Sequence, residues 1–198
     1  MQNLKNYVDY ICQPNPYRRK AAPDICHNLL LFGMITSQKP EKVLELGVGT
    51  SFTSNTILHA LKYNNFGELT CVDNMGDWNG FEGNVTPTII ENIKKQGAKF
   101  VLSNEREFVE NCKTNEFDLV VSDADHNCAH LWKEELFRLT KPNGILFFHD
   151  VTNKGFKLHE YIDYVKERNI PHFVFDKNSR PDEHCMENGW LMVINKKQ

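Results

Sequence analysis

The sequence predicts a single-domain, doubly wound α/β sheet, mostly parallel and with an antiparallel last strand. Three observations carry that prediction. Strand-like and helix-like stretches alternate across short loops, the pattern that right-handed crossovers produce in a parallel sheet. Residues 116–123 and 145–148 are nearly continuous apolar runs, as expected of strands covered on both faces. The last two strands have no helix between them, so the final one is expected to run back against its neighbour.

Residues 3–12 place Leu4, Tyr7, Val8 and Ile11 at helical spacing, and Pro14 and Pro16 stop the pattern. This helix and its turn make an N-terminal unit, residues 1–22, ahead of a main domain, residues 23–198. Tyr17-Arg18-Arg19-Lys20 reads either as a solvated basic face or as a patch for an anionic substrate. A helix begins at Pro23 and Asp24, carries an apolar stripe of Ile25, Leu29, Leu30, Phe32, Gly33 and Ile35, and ends before Pro40.

Lys42-Val43-Leu44-Glu45-Leu46-Gly47-Val48-Gly49-Thr50-Ser51 then gives a strand ending in an acid, a glycine turn and a helix start near Ser51. That arrangement brings backbone amides and a carboxylate up to a nucleotide-like ligand. Helix 51–63 feeds a second strand, Glu68–Asp73, and a loop with Gly76, Gly80 and Gly83. A helix near 86–96 closes on Gly97 and leads to a third strand, Lys99–Leu102. A helix near 104–112 precedes the fourth strand; residues 128–139 read as a helix, and Pro142-Asn143-Gly144 as a turn before the fifth. A helix at 155–168, a strand near 172–176, a polar stretch over 177–188 and a strand over 190–195 complete the chain.

Composition narrows the class. The chain has 198 residues, 40% hydrophobic and 25% charged, which suits one globular domain and argues against disorder. A net charge of −3 argues against a dedicated nucleic-acid binder. The six cysteines form no CxxC pair, which reads as a reducing, cytoplasmic setting. Neither a signal-peptide core nor a membrane-spanning run is present, so a soluble protein without a membrane partner is expected.

In doubly wound sheets, ligands sit beyond the carboxyl ends of the strands. Those ends carry Glu45 with Gly47 and Gly49, then Asp73, Ser103-Asn104, Asp123 with Asp125 and His126, and His149-Asp150. Phe52 occupies the third position of a GxGxxG dinucleotide turn, which demotes a nicotinamide-dependent oxidoreductase, and no GK[ST] follows to make a P-loop.

These motifs resemble class I S-adenosylmethionine-dependent methyltransferases over residues of about 23 to 195. The resemblance rests on Leu44-Glu45-Leu46-Gly47-Val48-Gly49-Thr50-Ser51, Asp73, Phe117-Asp118-Leu119-Val120-Val121-Ser122-Asp123-Ala124-Asp125 and Leu139-Thr140-Lys141-Pro142-Asn143-Gly144-Ile145-Leu146. It implies a Rossmann-like domain that holds S-adenosylmethionine with Gly47, Gly49, Thr50 and Ser51. Glu45 fixes the loop or meets the cofactor's ammonium, Asp73 takes the ribose hydroxyls, and Asp123 lies beside the cofactor. Asn104 either reads the adenine amino group or only caps the next helix.

The next segment is similar to the metal-dependent O-methyltransferases of the catechol and caffeoyl-coenzyme A type and their sugar- and antibiotic-modifying relatives. That similarity puts metal ligands at Asp123 and Asp150. Val151 stands where those enzymes carry an amide, so Mg2+ loses one oxygen ligand and His149 favours another divalent metal. The alternative is that Asp150 orders its loop without metal. His126 replaces the family's lysine as the base for a hydroxyl, or else faces solvent at a helix start.

The Asn/Asp-Pro-Pro-Tyr run of amino-group methylases is missing. The 74–84 loop and 177–188 as a lid are expected to shape a small-molecule acceptor pocket, with Trp78 or Phe81 either flanking adenine or the acceptor or packing over the sheet edge. His184 and Cys185 lack partners at metal-site spacing. A non-catalytic adenosylmethionine- or nucleotide-binding module is the rival reading. Oligomeric state is left open, with a homodimer compatible.

Overall fold

The computed structural model describes residues 2–12, 25–76, 84–152, 155–175 and 189–196. Seven strands form its single sheet: β1 (Lys42–Leu46), β2 (Glu68–Asp73), β3 (Lys99–Leu102), β4 (Phe117–Ser122), β5 (Thr140–Phe148), β6 (His172–Phe175) and β7 (Trp190–Ile194). Their order is β3-β2-β1-β4-β5-β7-β6, with β7 antiparallel to both β5 and β6 and every other pairing parallel. The strand order reverses at β1, between β2 and β4, and that switch point opens the crevice where such sheets hold ligands.

Alternation along the strands builds two cores. Val43, Leu69, Cys71, Leu119, Val121, Ile145, Phe147 and Trp190 pack against α1 (Gln2–Cys12), α2 (Ile25–Gln38), α3 (Phe52–Asn64) and α4 (Pro87–Lys95). Leu44, Leu46, Val72, Val120, Leu146, Phe148, Leu191 and Val193 pack on the other face against α5 (Glu105–Asn111), α6 (Lys133–Leu139) and α7 (Glu160–Glu167). Tyr7 of α1 stacks on Phe32 at 4.0 Å, so the first helix shares the core of the rest.

The helix start expected near Ser51 is observed: Ser51 is the N-cap of α3, at φ 63°, and makes no side-chain cap bond. Three expectations need correction. The buried stripe of α2 is His27, Asn28, Leu31, Phe32 and Ile35, while Leu29 and Gly33 are exposed; the helix is rotated so that a polar pair faces inward. The segments read as helices 128–139 and 155–168 begin with tight 3-10 turns, Ala129–Trp132 and Lys157–His159. The Asp125 carboxylate accepts the amides of Asn127 and Cys128 in the turn that leads into the first. Pro142-Asn143-Gly144 does not break β5 but forms an irregularity inside it, with Asn143 at φ 62° and a register shift between Phe117 and Leu119.

Thr86 caps α4, with Pro87 in its first turn, and Gly97 follows that helix at φ 106°. Pro14, Pro16, Tyr17-Arg18-Arg19-Lys20, Pro23, Asp24, Trp78, Gly80, Phe81, Gly83 and residues 177–188 lie outside the described residues. No helix among the described residues is long and apolar enough to cross a membrane.

Gly47 shows how tightly the switch point is drawn. It sits at φ 84°, and a Cβ there would lie 2.2 Å from the Asp123 carbonyl oxygen. Gly47→Ala is therefore expected to destabilise the fold by about 2–4 kcal/mol in urea denaturation. Gly33→Ala, with nothing within 4 Å of the added methyl, is expected to stabilise α2 by up to about 1 kcal/mol. Equal effects of the two changes would contradict this account of the loop.

Candidate functional site

The glycine turn is wired to its neighbours through the backbone. Gly47 N donates to Val72 O at 2.9 Å, and Asp123 N donates to Leu46 O at 2.9 Å. Asp73 at the end of β2 accepts from Val48 N at 2.8 Å and from Met75 N at 2.7 Å. Each carboxylate oxygen has a second lone pair, so Asp73 keeps acceptor capacity toward the crevice. Gly49 at φ 48° and Ser51 at φ 63° curl the chain into α3, while Thr50 is partly exposed.

Glu45 stands on β1 in the row of apolar side chains that faces α3. It is 0% exposed, and its Oε2 accepts the Cys71 thiol at 3.1 Å. Burial pushes its carboxyl up to about 8, against hydrogen bonding that lowers it and with the charges of Asp123 and Asp73 raising it further. Glu45 is thus mostly protonated at neutral pH. The Ser54 hydroxyl lies close enough to lower the carboxyl, yet neither the other Glu45 oxygen nor the buried Thr53 hydroxyl in the first turn of α3 makes a well-formed hydrogen bond among the described residues.

Asn104 caps α5, its Oδ1 accepting from Arg106 N at 3.0 Å and Glu107 N at 3.4 Å. The neighbouring Glu105 is the residue that sequence reasoning passed over. It is buried, and desolvation together with Asp73 and Asp125 raises its carboxyl to about 7 despite a lowering backbone hydrogen bond. An acid one residue beyond the cap was the available signal.

Asp123, His126, His149 and Asp150 come together where β4 and β5 end, with ligand atoms all within 4.8 Å of one another. His149 Nδ1 lies 2.9 Å from Asp123 Oδ1 and 3.3 Å from Asp150 Oδ1. His126 Nε2 lies 2.7 Å from Asp150 Oδ2 and 3.4 Å from Asp123 Oδ1. Acids and imidazoles alternate around this ring. The Phe156 ring covers His126 at 4.7 Å, and Trp190 covers His149 at 5.0 Å.

Burial opposes the charged imidazoles, but hydrogen bonds and charge from Asp123 and Asp150 outweigh it: His126 rises to about 9 and His149 well above its ordinary value. Burial likewise opposes both carboxylates, yet His149 and His126 hold Asp123 and Asp150 below the usual range. His126 therefore does not face solvent. Without a cation in the cluster it carries a proton and is no base at neutral pH.

A family model for the methyltransferase domain matches residues 44–151. The chain belongs to that family. This methyltransferase domain shares its fold with the O-methyltransferase from Bacillus cereus in complex with SAH, with a TM-score of 0.67 and 13% identity over 98% of this chain and 91% of that one. It is also similar to the O-methyltransferase from Streptomyces achromogenes involved in tomaymycin synthesis, in complex with SAM (TM-score 0.68, 11% identity, 97% and 96% covered). A SAH-bound methyltransferase from Podospora anserina gives a TM-score of 0.65 at 13% identity, with 100% and 89% covered. No curated protein matches the chain in sequence.

The cluster makes stability depend on pH. A raised histidine stabilises fully below its unfolded value of 6.5, and that contribution disappears as pH rises through about 9. Glu45 and Glu105, raised from 4.5 to about 8 and about 7, add loss in the same direction. Thermal melts of chelator-treated protein are expected to fall from pH 6 to pH 9. His126→Gln should be less stable than wild type at pH 6, with the gap narrowing by pH 9. A gap that widens with pH would contradict the assignment.

Proposed function

We propose that this domain transfers a methyl group from S-adenosylmethionine to a hydroxyl oxygen of a small-molecule acceptor. We further propose that a divalent cation is held by Asp123, His126, His149 and Asp150. The observation that carries the reading is the Asp-His ring at the ends of β4 and β5, beside the glycine turn. The printed names of the structural neighbours, two of them O-methyltransferases with SAM or SAH, support it.

The residues fit the cofactor's parts. The unpartnered Glu45 oxygen suits the ammonium, while the uncapped start of α3 with the Thr53 hydroxyl suits the carboxylate. Asp73 has lone pairs left for ribose hydroxyls. Glu105, which flanks Asp73, is a candidate for the adenine side, since the Asn104 oxygen is occupied by its cap.

They also fit a cation. Two imidazole nitrogens and two carboxylate oxygens favour a transition dication over Mg2+. Two imidazoliums and two carboxylates sum to zero, and a dication with two neutral imidazoles and two carboxylates also sums to zero. A cation can therefore replace two protons without changing the buried charge. When bound, it supplies Lewis acidity toward an acceptor hydroxyl. The chain's own task is then alignment: displacement at the methyl carbon needs nucleophile and sulfonium in line and water kept out. Phe156 and Trp190 screen the two histidines from solvent.

Calorimetry separates this reading from a nicotinamide-dependent oxidoreductase, and methyl transfer to a panel of hydroxyl acceptors separates it from a non-catalytic cofactor-binding module. S-Adenosylmethionine and its demethylated product are expected to bind and NAD not to. Asp73→Asn should weaken the sulfur cofactors about ten- to a hundredfold. Binding of NAD with neither sulfur compound would overturn the proposal.

A further inference from the structure

We propose that Asn55, backed by Gln96, is a positioning residue for the methyl donor: it holds Ser51 in a left-handed conformation and so keeps the start of α3 open for the donor's carboxylate. The proposal rests on the methyl-transfer reading above and adds to it two side chains that lie outside the glycine turn.

Asn55 stands one helical turn after Ser51 and closes back on it. Its Nδ2 donates to Ser51 O at 2.8 Å and to Ser51 Oγ at 3.2 Å, and its backbone N donates to the same carbonyl at 2.9 Å. Ser51 N donates to Val48 O at 2.8 Å, so the residue is pinned from both sides. A carbonyl oxygen only accepts, which fixes the Asn55 amide with its nitrogen on Ser51 and its oxygen turned away. Gln96, the residue that ends α4, meets that oxygen: its Nε2 donates to Asn55 Oδ1 at 2.8 Å. The contact ties α4 to the turn through α3.

This clasp offsets a cost and prevents a competing bond. Ser51 sits at φ 63° and ψ 18°, a conformation that a Cβ disfavours. A serine ahead of a helix ordinarily stays extended and accepts an amide of the first turn. Thr86 does so ahead of α4, at φ −120°, taking Ile89 N at 3.3 Å. Ser51 makes no such bond, because its oxygen is held by Asn55 instead. The first-turn amides of α3 are thereby left for an anion. The Thr53 hydroxyl in that turn, on a residue 5% exposed, makes no well-formed hydrogen bond among the described residues. Without Asn55, Ser51 is expected to relax to the extended form and cap α3 itself, closing the place where the carboxylate binds.

Calorimetry with S-adenosylhomocysteine and with methylthioadenosine, which keeps adenine, ribose and sulfur but lacks the amino-acid tail, tests this. Asn55→Ala is expected to weaken S-adenosylhomocysteine about tenfold and to leave methylthioadenosine within about twofold of wild type. Gln96→Ala, at an exposed position, should weaken the first about threefold and the second not at all, and it carries the test if Asn55→Ala does not fold. In Ser51→Gly, where glycine adopts the left-handed form unaided and offers no cap, adding Asn55→Ala should cost no more than about twofold. The proposal is overturned if Asn55→Ala, or Gln96→Ala where it stands in, binds S-adenosylhomocysteine as wild type does or loses both compounds equally, or if the full loss persists on Ser51→Gly. Wild type that binds neither compound overturns the methyl-transfer reading, and the role of Asn55 with it.

Discussion

Two carboxylates and two imidazoles, nearly closed off from water, meet where β4 and β5 end, and their mutual compensation constrains everything around them. An isolated charge at that depth would be neutralised or expelled, because desolvation exceeds what one neighbour returns. Four groups alternating in sign remove the problem, and the cation proposed above would take the place of two protons in the same geometry. The rest of the sheet is arranged so that the ring can close. Asp123 reaches it because Gly47 has no side chain in the way of the Asp123 carbonyl, and His149 N donates to Ser122 O at 3.0 Å to tie the two strand ends together.

The ring also joins the two faces of the sheet. His149 extends toward the α1–α4 side, where Trp190 and His27 lie, and His126 packs under Phe156 on the α5–α7 side. The glycine turn stands next to it, with Glu45 beneath and Asp73 alongside. A methyl donor lying across that turn would bring its sulfonium up to the acids without crossing the sheet. Under the proposed function, cofactor, cation and acceptor would share one crevice, each held by a different element.

Much of this was legible in the sequence because it depends on strand ends. Apolar runs located β1, β4 and β5, and the polar residues within or just after those runs, Glu45, Asp123, His149 and Asp150, were already the candidates. What was not legible depends on rotation and on neighbours distant in sequence. The stripe of α2 was misphased because His27 and Asn28, polar by type, face the core. Asn104 offered a cap and a ligand with the same oxygen, and only the geometry of α5 shows the cap. Glu105 and Trp190 gain their meaning from burial beside Asp73 and His149, which no spacing along the chain encodes.

The most direct test of the account is a crystal structure grown with S-adenosylhomocysteine and Mn2+, with anomalous scattering recorded for the metal. One anomalous peak should lie among Asp123, His126, His149 and Asp150, with the cofactor's sulfur on the same side of the glycine turn and its ribose on Asp73. Cofactor bound there with no peak at saturating Mn2+, and with both histidines still paired to the acids, would contradict the cation site. Cofactor absent from the turn would contradict the function itself.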